Sequence, residues 1–255
     1  MFRVSKDESK ILGINIARGE VDCLESPSNL MEQLKTQKID ILKLFCKNPS
    51  VDLYYKLDAL GVNYYILGVV LEYKSVFSRN PKQKEYLHSD VSFKEYSLDD
   101  KRILEFLVKN IFKNQATSYF LNPQINSFIS QEKQLDVLFS YIATYNKDID
   151  STKYTHIMYK ENKPIGFVTS YKEGTGGAVL YAGILDEYIG RGYYIDLVRF
   201  IQNFGKEIQQ KWGFAYAQIH HTVIQKTFIK EGLIPQGYAF NIHVNSCYGI
   251  LSNQL

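Results

Sequence analysis

Residues 177–200 read Gly177-Ala-Val-Leu-Tyr-Ala-Gly-Ile-Leu-Asp-Glu-Tyr-Ile-Gly-Arg-Gly-Tyr-Tyr-Ile-Asp-Leu-Val-Arg-Phe200. The apolar run 178–185 has the character of a strand, Asp186-Glu187 opens a short acidic turn, and Gly190-Arg191-Gly192 leads into a long amphipathic helix. Glycines at a strand-to-helix junction let backbone N–H groups approach an anion closely, and the helix start adds unpaired donors and partial positive charge. The junction therefore suits phosphate, and a pyrophosphate in particular. It is not a Walker loop, because Gly-Lys-Ser/Thr is missing. It is not a dinucleotide fingerprint either, because a third glycine would have to stand near Asp196.

Downstream, the pattern predicts a strand over 214–220, a helix over 222–231 closed by Gly232, and a strand over 238–244. Upstream it predicts a strand over 91–96, a helix over 98–112, a loop rich in Asn, Gln and Ser over 113–127, and a helix to about 145. Strands over 154–160 and 164–171 flank a Glu161-Asn162-Lys163 turn as a hairpin.

This order, β-α-α-β-β-β-α-β-α-β over about 91–244, resembles the GCN5-related N-acetyltransferase superfamily. The glycine loop is similar to that family's Arg/Gln-x-x-Gly-x-Gly/Ala signature, with the frame on Ile189-Gly190-Arg191-Gly192-Tyr193-Tyr194. Ile189 replaces the leading Arg or Gln. Tyr194 replaces the final small residue, so its side chain must point away from the phosphates. His221 and Phe228 stand where the family usually has a coenzyme-contacting Asn and a Tyr that protonates the leaving thiolate.

The resemblance implies an α/β fold with a mixed central sheet flanked by helices, and acyl-CoA as cosubstrate without a metal. It implies that residues 182–185, Ile184 and Leu185 among them, hold the pantetheine arm, with Leu185 donating its amide near the thioester oxygen. Gly190, Arg191, Gly192, Tyr193 and Tyr194 would supply amides to the pyrophosphate, with His221 and Phe228 completing the coenzyme contacts. The amine must lose a proton. His220 is the preferred base, since an ordinary imidazole titrates near ~6.5. Asp186 and Glu187 at the strand end are alternatives, and so is solvent. Tyr238 or Tyr193 would replace the missing tyrosine, unless the thiolate leaves without side-chain help.

The first part of the chain reads β-α-β-α-β: a strand over 14–24, a helix over 26–37 with Ser26 as cap and Pro27 in its first turn, a strand over 39–46, a helix over 51–60 ending at Gly61, and a strand over 64–73. A polar, proline-containing segment over 78–90 is the best boundary. This yields two domains, 1–85 and 86–255, the first a degenerate half-domain that repeats the second half of the second but lacks a glycine loop. Leu12-Gly-Ile-Asn15 and Ala59-Leu-Gly61 in that half-domain are similar to what precedes the catalytic domain in nucleotide-linked (dTDP-) amino-sugar N-acyltransferases of surface-polysaccharide (O-antigen) synthesis. That resemblance implies an amino-sugar acceptor, with Tyr119, Phe120 and Asn122 of the 113–127 loop contacting it. The alternatives are another small amine or a protein N-terminus as acceptor, or a non-catalytic acyl-CoA-binding protein.

Composition narrows the partners. A net charge of +3 over 255 residues, with no Lys/Arg block, argues against nucleic acid. No apolar run approaches the ~18 residues of a membrane span. The start of the chain lacks the apolar core of a signal peptide, so a cytoplasmic location is expected. Cys23, Cys46 and Cys247 form no metal-ligand spacing and are expected to be reduced. The 20 tyrosines either reflect composition alone or supply faces and hydroxyls to a base or sugar. A homodimer stays an open expectation.

Overall fold

Alternation in Ile41-Leu-Lys-Leu-Phe-Cys-Lys47 sends Leu42, Leu44 and Cys46 to one face of a strand and Ile41 and Lys43 to the other. That strand is the centre of one of two units in the computed structural model, which describes residues 2–20, 27–47, 49, 51–59, 61, 63–77, 82–113 and 129–245. The first unit draws its described residues from Met1–Val70, Ala116–Val137 and Gly237–Leu255; the second from Leu71–Gln115 and Leu138–Gln236.

The first unit contains β1 (Arg3–Val4), α1 (Lys6–Leu12), β2 (Ile16–Glu20), α2 (Pro27–Thr36), β3 (Ile41–Lys47) and α3 (Val51–Asp58), with the start of β4 (Asn63–Val76) and the end of β10 (Ile234–Asn245). β2 runs parallel to β3 with Ile16 opposite Ile41, and β10 runs antiparallel to β3 with Ile242 opposite Leu44. Leu30 and Leu34 of α2 and Leu53 and Leu57 of α3 close over Leu42, Leu44 and Ile242. The α1 helix is absent from the sequence reading. It is polar and only two turns long, too short for a visible period, and ends at Gly13 with φ of 73°. It places the buried Glu8 against Lys43 and Arg18, each at 2.9 Å. Burial alone would raise this carboxyl, but the two cations bring it down to about 2.

The second unit carries β5 (Val91–Glu95), α4 (Lys101–Phe112), the end of α5 (Gln131–Ala143), β6 (Lys153–Lys160), β7 (Lys163–Glu173), β8 (Gly176–Ile184), α6 (Tyr193–Glu207), β9 (Trp212–Gln218) and α7 (Thr222–Lys230). Its strands lie in the order β4-β9-β8-β7-β6-β5. The run β5 to β8 is an antiparallel meander, and β9 is parallel to β8, so the sheet is mixed, with helices against it, as expected. Glu161 and Asn162 turn the β6–β7 hairpin with φ of 47° and 69°, the left-handed pair that matches strand twist. Among the described residues no helix is long and apolar enough to cross a membrane.

Helix α6 is held on both flanks. Leu197 and Val198 face the sheet, Val198 in the cluster of Tyr73, Ala215, Ala217, Phe228 and Leu233. Phe200 and Phe204 sandwich His156 of β6 at 4.8 and 4.5 Å. The polar segment read as a boundary is, over 82–90, a strap fastened along α6. Asn203 Oδ1 accepts the Lys84 N–H and its Nδ2 donates to the Lys84 carbonyl, both at 2.8 Å. Lys84 Nζ and the Arg199 guanidinium converge on the buried Glu231, and Lys206 Nζ donates to the Lys82 carbonyl.

His156 yields a prediction about acid stability. Burial, with a contribution from the Lys147 charge, pushes its imidazole down to about 4. The unfolded ring titrates near ~6.5, so below that pH the unfolded chain takes up the proton first. This contribution to stability is complete above ~6.5 and is lost as pH falls toward the folded value, by roughly 3 kcal/mol in all. Denaturant unfolding of wild type and His156→Phe at several pH values between these limits is expected to show the wild-type decline flattened in the variant. An identical decline in both would rule this group out as its source.

Candidate functional site

The site begins with an extra residue in β8. Thr169 of β7 lies opposite Tyr181, but Ser170 lies opposite Val179, so Leu180 is a bulge. The Thr169 hydroxyl fills the break: its Oγ1 accepts the Tyr181 N–H at 3.1 Å and donates to the Tyr181 carbonyl at 3.3 Å. On the other side, the pairing of β8 with β9 is confined to Ala178 opposite Phe214. Beyond that point the strands part. A cleft of about 580 Å³, counting its open mouth, lies beneath α6 and is lined among others by Val179, Ala182, Tyr194, Val198, Phe214 and Phe228.

The amides along the edge of β8 that faces β9 can be assigned from the ladder. Leu185 N–H donates to the Ile165 carbonyl at 2.8 Å, so it is not available to a thioester oxygen. This corrects the sequence expectation for Leu185. Antiparallel pairs alternate between those that exchange hydrogen bonds and those that do not. With Leu185 bonded to β7, Ile184 and Ala182 present their N–H groups to the opposite edge, where β9 has diverged. Ile184 therefore presents its N–H to that edge, one residue before Leu185.

The glycine loop follows the turn Asp186–Tyr188. Gly190 and Gly192 have φ of 78° and 91°, a region that strains any residue with a Cβ. The N–H groups of Gly190, Arg191 and Gly192 carry no hydrogen bond among the described residues. The first-turn amides of α6, at Tyr193 and Tyr194, have no intrahelical acceptor. The loop is thus a cluster of open donors at a helix start. Tyr194 points inward and packs against the Tyr73–Phe228 cluster, as a bulky residue at this position must, and burial pushes its phenol well up. Tyr193 is buried in the other direction, edge-on to Tyr188 at 5.5 Å.

The remaining expected residues are placed as follows. β9 ends at Gln218, so His220 lies in an exposed turn and not at a strand end as expected. The Gln225 side chain closes that turn by donating to the Gln218 and Ile219 carbonyls. His221 occupies the cap position of α7 without a side-chain capping bond, its ring 4.2 Å from that of His220. Burial, and then the charge of His220, lowers the His221 imidazole below its usual value, which favours the neutral form. Asp186 and Glu187 are exposed, and Glu187 pairs with Lys163 at 3.1 Å. Phe228 is 3% exposed, with the Tyr73 ring edge-on at 5.3 Å. Tyr238 is exposed on β10, in the stretch that belongs to the first unit, against Phe240. Tyr119, Phe120 and Asn122 lie outside the described residues.

One pair at this site is missing from the sequence reading. His88 of the strap stacks on Tyr193 at 4.1 Å, and its Nδ1 lies 2.6 Å from Oδ2 of the fully buried Asp196. A lone His in a polar segment gives no local signal of such a role.

Neither a protein-family model nor a curated protein sequence matches the chain. Solved structures do. A GCN5-related N-acetyltransferase from Sphaerobacter thermophilus superposes with a TM-score of 0.63 at 9% identity, over 96% of this chain and 76% of that one. A functionally unknown conserved protein from Staphylococcus epidermidis ATCC 12228 gives 0.61 at 15% identity, over 93% and 88%. A tandem GNAT protein from the clavulanic acid biosynthesis pathway gives 0.57 at 7%, over 86% and 68%. The chain has the fold of GCN5-related N-acetyltransferases.

Proposed function

We propose that this protein is an acyl-CoA-dependent N-acyltransferase that works by direct attack in a ternary complex. The observation that carries this reading is the parting of β8 from β9 beside a glycine loop whose N–H groups are open. The loop amides and the start of α6 would hold the pyrophosphate. The divergent edge of β8 would take the pantetheine arm, with Ile184 N–H meeting the thioester oxygen as negative charge builds there. The amine nitrogen forms the new C–N bond, the C–S bond breaks, and the amine proton passes to His220 or to solvent. Phe228 offers no hydroxyl to the leaving sulfur. The thiolate then leaves without side-chain help, which a thiol titrating near ~8.5 tolerates.

For the acceptor we propose a nucleotide-linked amino sugar, a dTDP-sugar, on the strength of the sequence resemblance. The degenerate first half-domain belongs to the same reading. Thiol release from acetyl-CoA with a panel of acceptors tests both levels. A dTDP-amino sugar is expected to support turnover while simple primary amines do not. Turnover on a simple amine or on a peptide N-terminus would move the acceptor class. Coenzyme binding without thiol release on any acceptor would leave an acyl-CoA-binding protein.

A further inference from the structure

Asp196, in the first turn of α6, has no exposed surface, and both of its oxygens are engaged by the strap. Oδ1 accepts the Leu87 N–H at 2.5 Å, and Oδ2 faces His88 Nδ1 at 2.6 Å. A buried carboxylate is costly unless fully partnered, so this arrangement holds one imidazole in one orientation. The stack on Tyr193, at 4.1 Å and 21°, sets the plane of the ring. Its far edge meets the glycine loop: Cε1 is 3.2 Å and Nε2 4.0 Å from the point a Cβ on Gly192 would occupy. Nε2 carries no hydrogen bond among the described residues, and the side chain keeps 27% of its surface exposed.

We propose that His88 is an anion-binding residue of the coenzyme site, donating from Nε2 to a phosphate oxygen of acyl-CoA while Asp196 holds Nδ1. The inference rests on the reading of the loop given above and adds to it a residue from outside the glycine loop. Nδ1–H donates to Asp196, and Nε2–H donates to the phosphate. The charged and titratable groups around the ring are Asp196 and Tyr193 of α6 and Asp90 of the strap. Asp90 is paired at 2.9 Å with Lys160 of β6. That pair is neutral as a unit, which leaves Asp196 as the carboxylate that faces the ring.

Calorimetry on the full chain reads the affinity for coenzyme A in wild type and variant. His88→Asn keeps a donor for Asp196 but lacks Nε2. It is expected to bind coenzyme A about tenfold more weakly, as for one lost charge-assisted hydrogen bond. Affinity for pantetheine, which has no pyrophosphate, is expected to be equal in the two proteins. Equal coenzyme A affinity would overturn the assignment, and so would a matching loss for pantetheine, which would mark a structural role. A wild-type protein that does not bind coenzyme A would instead overturn the reading of the loop itself.

Discussion

Gly192→Glu is expected to abolish measurable binding of coenzyme A while the protein stays folded. Gly192 has φ of 91°, and a Cβ there would lie 3.2 Å from the His88 ring, so any side chain strains the backbone and crowds the strap. The left-handed conformation costs an L-residue roughly 1–2 kcal/mol, a fraction of the stability of an ordinary domain. The functional effect is much larger. A carboxylate at the start of α6 opposes the ligand's charge and displaces the open amides of Gly190 to Gly192. Charge-assisted hydrogen bonds contribute about 1.5–3 kcal/mol each, so losing two corresponds to at least roughly 100-fold in affinity. Isothermal calorimetry measures that loss, circular dichroism verifies the fold, and Gly192→Ala separates backbone strain from charge. Unchanged affinity in Gly192→Glu would remove the basis for the loop's assignment.

The second large effect concerns the proton on the amine. His220→Asn is expected to lower kcat by roughly 10²–10⁴-fold, the range for a positioned general base, with little change in the acceptor's KM. His220 is solvent-accessible in the turn that follows β9. His221→Asn is expected to be mild, since it leaves His220 in place and keeps a polar side chain at the α7 cap position. Steady-state kinetics over about pH 6 to 9 decide the matter. If His220→Asn turns over at nearly the wild-type rate throughout, solvent takes the proton and no side-chain base is needed.

Local chemistry made much of this fold legible. Gly190 and Gly192 stand out because few other residues accept their backbone angles, and Glu161-Asn162 because a two-residue hairpin turn needs left-handed conformers. The period of α6 is visible because one face of it must be apolar to pack on the sheet. Tyr194 points away from the phosphates, as the family resemblance implies, and packs inward. Periodicity overruns β9 by two residues, to His220, because Ile219 continues the alternation. The strand ends there in a turn that His221 N–H closes by donating to the Gln218 carbonyl, with the Gln225 side chain bonding the Gln218 and Ile219 carbonyls.

What remained hidden depends on pairing between segments far apart in the chain. Whether Leu185 or Ile184 turns its amide away from β7 is a matter of ladder parity, set by Ile165 on the neighbouring strand. The bulge at Leu180 and the divergence of β8 from β9 exist only in register, and a single strand carries no mark of its register. His88 and Asp196 are 108 residues apart and neither lies in a motif, so the strap was legible only as a polar segment with a proline. The sequence by itself determined the elements, their order and the glycine loop, because propensity, periodicity and left-handed glycines act within a few residues. Tertiary structure alone decided which amides and which imidazole face that loop, because strand parity and a buried carboxylate's choice of partner are set by contacts across the sheet.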